Sequence, residues 1–193
     1  YALALCSMKR WDEGLAECDR AIVLDPLSAS SSWMREYCLI MARRYDEVIA
    51  QHRKTKELDP SFFYLYSPAA IAYLEKGMFA ESVAEYERLQ SVLGGEPLSG
   101  LAITYARMGK TTQARGVLKE ILERAERKYV SPDLIAVVYG SLGEMDQAFA
   151  WLDRAYEARS GFMITTILTA PDYDPLRSDP RFDALLRKIG LKK

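Results

Sequence analysis

The chain has 193 residues, 49% of them hydrophobic, with 27% charged residues so balanced that the formal net charge is −1. That is enough apolar material for one ordinary folded domain. It is the wrong charge for a nucleic-acid binder, which needs a basic surface to displace counterions, and no apolar run is long enough to span a bilayer.

The first residue is Tyr1 rather than methionine, and Tyr-Ala-Leu-Ala-Leu-Cys reads as the remainder of a helix, so the chain is expected to be a piece of something longer. No basic segment precedes Cys6, and Leu5 is too large for the position before a lipidated cysteine. The three cysteines, Cys6, Cys18 and Cys38, cannot close a disulfide framework among themselves. With His52, the single histidine, they lack the CxxC and HxxxH spacings of a zinc site. They are expected to be reduced thiols buried on apolar helix faces. The compartment that fits is the cytoplasm, or the periplasm if the parent protein spans a membrane.

A repeat emerges along the chain. The run RWDEGLAECDRAIVLDP is followed by RYDEVIAQHRKTKELDP, with Pro26 and Pro60 34 residues apart. Gly77, Gly109 and Gly143 follow at intervals of 32 and 34, each after one apolar helical stretch and before another. Stepping back by 34 from Gly77 reaches Arg43 and then Lys9, in the same turn of earlier units. Five units in one phase result, with a two-residue deletion near Gly94-Gly95. Each unit reads as two helices. Leu98, Leu101, Ala102 and Tyr105 give helical spacing over 97–108, and Leu134, Ile135, Val138 and Tyr139 do so over 131–142. No run alternates with period two, so no sheet is expected. Asp-Pro should end the second helix of the first two units. Ser67 and Pro68 predict a late helix start or a break at 66–68.

With these positions in phase, the chain resembles the tetratricopeptide repeat (TPR) family. Ala70, Ala102 and Ala136 match the small residue of the family's first helix, Ser82, Ala114 and Ala148 its counterpart in the second, and Tyr73, Tyr105 and Tyr139 the aromatic site between them. The second unit fits worst: Arg35 and Glu36 fall at buried sites, while Trp33, Tyr37 and Met41 form a stripe at spacing four. A buried unpaired glutamate would cost several kcal/mol, so helix 29–42 is expected to be rotated from the ideal. The resemblance implies an all-α fold, an α-α superhelix (TPR solenoid) of about five helix pairs. The array would occupy residues 1–160, its first unit incomplete, and residues 161–193 would form a C-terminal capping segment. The run from Tyr129 to Phe162, with the later DPLRSDPRFDALLRKIGL, resembles more narrowly the repeat domain of bacterial multidomain regulators that carry winged-helix, Ser/Thr kinase or cyclase domains.

Candidate chemistry is sparse. Met108-Gly109-Lys110-Thr111-Thr112 contains a Gly-Lys-Thr, but Thr104 stands where a phosphate-binding loop needs its first glycine, and a helix precedes it rather than a strand. Asp172 and Asp174 start like a calcium loop, yet Leu176 and Arg177 occupy the next ligand and glycine positions. Asp179-Pro180 reads instead as a helix start and Gly190 as its end. One histidine gives no nucleophile–base arrangement, and His52 is expected to be a packing residue. No cofactor, metal or catalytic residue is therefore expected.

What remains is surface. In the family's geometry the first helices line a concave face. The groove-facing position recurs as Leu3, Tyr37, Ile71, Ile103 and Val137, with Trp33, Tyr64, Leu74 and Asp133 beside it. The Lys and Asn residues of the family's carboxylate-clamp subclass are missing. The expected partner is a protein or peptide with apolar anchors, contacting Trp33, Tyr37, Tyr64, Ile71, Leu74, Ile103 and Val137. The alternatives are that these side chains pack on neighbouring helices, or that the same surface meets a second copy of the chain. The apolar face of Phe182, Leu185, Leu186 and Ile189, helped by Phe162, Ile164, Ile167 and Leu168, is expected to cap the array.

Overall fold

A computed structural model describes residues 1–59, 62 and 66–192, apart from the side chains of Tyr66 and Phe162. Every regular element among them is helical. Five antiparallel pairs follow one another: α1 (Ala2–Ser7) with α2 (Trp11–Leu24), α3 (Ala29–Met41) with α4 (Tyr45–Leu58), α5 (Tyr66–Glu75) with α6 (Phe79–Val92), α7 (Ser99–Arg107) with α8 (Thr111–Ala125), and α9 (Pro132–Ser141) with α10 (Met145–Glu157). A short α11 (Gly161–Thr166), a 3-10 helix (Pro171–Leu176) and α12 (Pro180–Lys188) complete the chain. The contacts divide it into two compact units, Tyr1–Glu96 and Pro97–Lys193. The division falls next to the Gly94-Gly95 irregularity, and position 160 lies inside the second unit.

One local device makes all five turns. The second residue after the first helix is left-handed, with φ of 62° at Lys9, 62° at Arg43, 73° at Gly77, 74° at Gly109 and 78° at Gly143. The next amide then reaches back to a carbonyl five residues earlier. Arg10 donates to Leu5 at 3.0 Å, Arg44 to Leu39 at 2.9 Å, Met78 to Tyr73 at 2.9 Å, Lys110 to Tyr105 at 2.9 Å and Glu144 to Tyr139 at 2.9 Å. This bond satisfies a carbonyl that the helix end would leave orphaned and reverses the chain. Lys9 and Arg43 keep the geometry without glycine, at a steric cost of about 1–2 kcal/mol each.

Where two helices of a pair cross, the side chains are small. Ala70, Ala102, Ala136, Ser82, Ala114 and Ala148 are all completely buried. In the first pair the corresponding site is Gly14, where an added Cβ would lie 2.3 Å from the Cys6 sulfur. The three thiols are free and buried, and the Cys18 and Cys38 sulfurs are 3.8 Å apart. Around the crossings sit large apolar residues such as Leu39, Leu152 and Ile135, none of them exposed. Each contributes about 1.5–3 kcal/mol by leaving water.

Helix boundaries follow their sequence signals. Asp25 ends α2 ahead of Pro26, and α4 stops at Leu58 before Asp59; Pro60 lies outside the described residues. Ser67 and Pro68 lie within α5, whose described part runs from Tyr66; residues 63–65, on which the expected late start at 66–68 turns, lie outside the described residues. Asp179 caps α12 by accepting the Arg181 amide at 2.9 Å, Pro180 opens the helix, and Gly190 with φ 77° follows its end.

Glu36 departs from expectation. It is not rotated outward: it is 0% exposed, at the crossing site that Ala70, Ala102 and Ala136 occupy in later pairs. Arg35, its neighbour, reaches Asp19 of α2 at 2.7 Å and keeps part of its side chain in solvent.

Candidate functional site

The first unit contains an aromatic pair on α3. Spacing four places Trp33 and Tyr37 one turn apart on one face, and their rings stack with centroids 5.7 Å apart and planes inclined by 27°. Both are partly exposed. Leu3 of α1, at the matching register, is also partly exposed. Tyr64 lies outside the described residues.

The remaining described candidates of the expected groove are buried side chains. Ile71 and Leu74 on α5 are 8% and 1% exposed, and in the second unit Ile103 on α7 and Val137 on α9 are 3% and 2% exposed. Within each unit consecutive first helices touch, α3 with α5 and α7 with α9. An apolar side chain on the face between them is covered by the neighbouring helix. These four residues are core in this chain, and little of them is left for a partner.

Asp133, beside the expected groove, is also fully buried. Its Oδ1 accepts the hydroxyls of Ser131 and, at 2.7 Å, of Ser160, and its Oδ2 accepts the Tyr173 hydroxyl at 3.1 Å. Burial above all, and the adjacent Asp133, push the Tyr173 phenol well above its ordinary value. Three hydroxyls converging on one carboxylate bind the start of α9 to the N-cap of α11 and to the 3-10 helix. The cluster is structural, with every oxygen occupied.

The C-terminal helix packs against α10. Phe182, Leu185 and Leu186 are buried, and Ile189 is half-buried. Arg181 lies over the Phe149 ring at 4.4 Å and pairs with Asp146 at 2.7 Å, while Lys188 lies over Tyr156 at 4.4 Å and pairs with Asp153 at 2.9 Å. Ile167 is buried and Leu168 partly so, but Ile164 is 46% exposed, while Met163 and Thr166 of α11 are buried; the side chain of Phe162 lies outside the described residues.

The two candidate ligand loops are ordinary structure. Gly109-Lys110 is a helix-to-helix turn with Lys110 at the start of α8. Asp174 takes the Arg177 guanidinium at 2.8 Å. No group of three or more metal-ligating side chains occurs among the described residues.

Two features escaped the sequence reading. One is an apolar surface at the end of α2, where Val23, Leu24 and Leu27 are 77%, 80% and 79% exposed. Its signal was legible, since Val23-Leu24 and Leu27 flank the Asp25-Pro26 turn, where the chain leaves the core. The other is a buried polar cluster around Glu36. Glu36 Oε1 accepts the Thr55 hydroxyl at 2.6 Å, and its Oε2 lies 3.9 Å from Nδ1 of His52, itself 3% exposed. His52 Nε2 lies 3.9 Å from Oε1 of Glu85, with Lys56 Nζ 4.0 Å from the same oxygen. Burial pushes the Glu36 carboxyl up to about 8, against a smaller lowering by Thr55. At Glu85 burial pushes upward too, but the His52 hydrogen bond and the charges of His52, Lys56 and Arg88 together hold it below its ordinary value.

No family model and no curated protein matches the chain. Among solved structures it is similar to a thermophilic TPR protein of Thermus thermophilus, with a TM-score of 0.65, 18% sequence identity, and 96% of this chain and 95% of that one covered. The chain thus has the fold of a TPR helix-pair array.

Proposed function

We propose that the chain is a non-enzymatic protein-recognition module, the scaffolding or regulatory part of a larger bacterial signalling or transcription-regulating protein, working in the cytoplasm. The observation that carries the reading is the stacked pair Trp33–Tyr37, two large aromatics left partly in solvent on a helix that buries Glu36, Cys38, Leu39 and Ile40. Aromatic side chains held rigid beside a covered core are the residue type that dominates protein interfaces once a partner desolvates them. Of the expected contact set, Ile71 and Leu74 then belong to the core of the unit that presents this pair, and Ile103 and Val137 to the core of the second unit. Residues 1–160 form the recognition array and 161–193 its cap. Selection of 12-residue peptides from a displayed random library tests the reading. Enrichment of peptides with recurring apolar anchors, lost when Trp33 and Tyr37 are both changed to alanine, supports it. Failure to enrich any sequence, or equal enrichment on the double variant, contradicts it.

A second reading, self-association, is favoured by Val23, Leu24 and Leu27, which together leave an apolar surface in water. Light scattering during size-exclusion chromatography over a hundredfold range of concentration separates the two. A mass that stays at 21.9 kDa removes the second reading.

A further inference from the structure

The repeat puts alanine at the helix crossing in three pairs and glutamate in one. Ala70, Ala102 and Ala136 fill that site with a methyl group, whereas Glu36 brings a carboxyl into a position with no exposure. The helix pairs show that the fold has no need of an acid there. The substitution is accommodated by specific partners on two other helices, Thr55 and His52 on α4 and, through His52, Glu85 on α6. We propose that Glu36, His52 and Glu85 form a proton-held clasp that ties the second helix pair to the third, and that losing its proton loosens the first compact unit.

The physical argument is a count of charge. With Glu36 protonated, Glu85 is left as the one carboxylate facing His52, and Lys56 lies 4.0 Å from it. Without that proton, carboxylates lie on both sides of the His52 ring, and the one at Glu36 is closed to water. An ionised Glu36 with no exposure, facing a second carboxylate across the His52 ring, is unfavourable by both desolvation and repulsion. The other charged groups on the packed helices do not relieve this. Asp19 of α2 is engaged by Arg35, and Arg88 of α6 and Arg53 of α4 act at the Glu85 and Tyr73 end. The thiols of Cys6 on α1, Cys18 on α2 and Cys38 on α3 share a separate contact.

The sign follows from where Glu36 holds its proton. Its folded value, about 8, lies above the ordinary 4.5 that it regains on unfolding. The folded state therefore binds more protons between those values, and stability is lost as pH rises through about 8. The unfolding equilibrium constant should rise roughly four-hundredfold from pH 5 to pH 8 through this group.

The test uses the full chain labelled with 13C at glutamate side chains. One carboxyl resonance is expected to titrate with a midpoint near 8 and to be absent from Glu36→Gln. Urea midpoints from pH 5 to 9 should fall more steeply for the wild type than for Glu36→Gln, whose amide copies the protonated acid. If every glutamate titrates below pH 6, or if the variant keeps the full slope, the clasp is overturned. Should Glu36→Gln not fold, the wild-type titration decides alone.

Discussion

Tyr173 donates its hydroxyl to Asp133 across 40 residues of chain, at 3.1 Å and with both side chains buried. The bond joins the last helix pair to the segment that follows it. Tyr173→Phe removes one donor to a carboxylate that keeps Ser131 and Ser160, and should cost about 1.5–3 kcal/mol. Asp133→Ala removes the acceptor of all three hydroxyls, leaving Ser131 and Ser160 only each other at 2.9 Å, and should cost more. Urea midpoints measure both; equal, small losses would show that the cluster is not tightly coupled.

The left-handed turns yield a stabilising change. Lys9 adopts φ 62° where later pairs use glycine. Lys9→Gly should raise stability by about 0.5–1 kcal/mol, the relief of αL strain outweighing the extra freedom of the unfolded chain. Gly77→Ala should lower it by about 1 kcal/mol for the opposite reason. A thermal melt of each variant decides the sign.

Removing residues 161–193 uncovers the face of α10 on which Phe182, Leu185 and Leu186 are buried, and takes Tyr173 from the Asp133 cluster. The chain ended at Ser160 should aggregate or lose several kcal/mol, since repeat arrays need a polar outer face at their ends. A soluble truncated chain with an unchanged denaturant midpoint would refute the capping role.

Much of the architecture is legible in the residues. The 34-, 32- and 34-residue intervals locate the turns because only one backbone geometry reverses the chain there, and glycine or a strained Lys9 and Arg43 must supply it. The side-chain surface is less legible. Amphipathic spacing tells which face of α5, α7 or α9 is apolar, but not whether a partner or the adjacent helix covers it. Ile71 and Ile103 went to the adjacent helix. Glu36 could be placed at a buried site, yet its partners Thr55 and His52 sit 19 and 16 residues further on, on another helix. Nothing in the spacing of one helix shows that a buried acid has been provided for. Asp133 was misplaced in the same way, by partners 27 and 40 residues away.

Ile71 and Ile103 separate core from surface. Placing aspartate at both puts a charge into sites that are 8% and 3% exposed. Each should destabilise by several kcal/mol, and the double variant should lose helicity by circular dichroism. A double variant that stays helical, with an unchanged urea midpoint, would return these residues to the surface.

The account rests on Trp33 and Tyr37 as the working contact. A peptide selected on the wild-type chain, titrated by calorimetry against wild type and against Trp33→Ala/Tyr37→Ala, measures that directly. Loss of at least tenfold in affinity, on the order of 1.4 kcal/mol or more, with the urea midpoint of the variant changed by far less, is the expected result. Equal affinity for the two proteins would contradict the account.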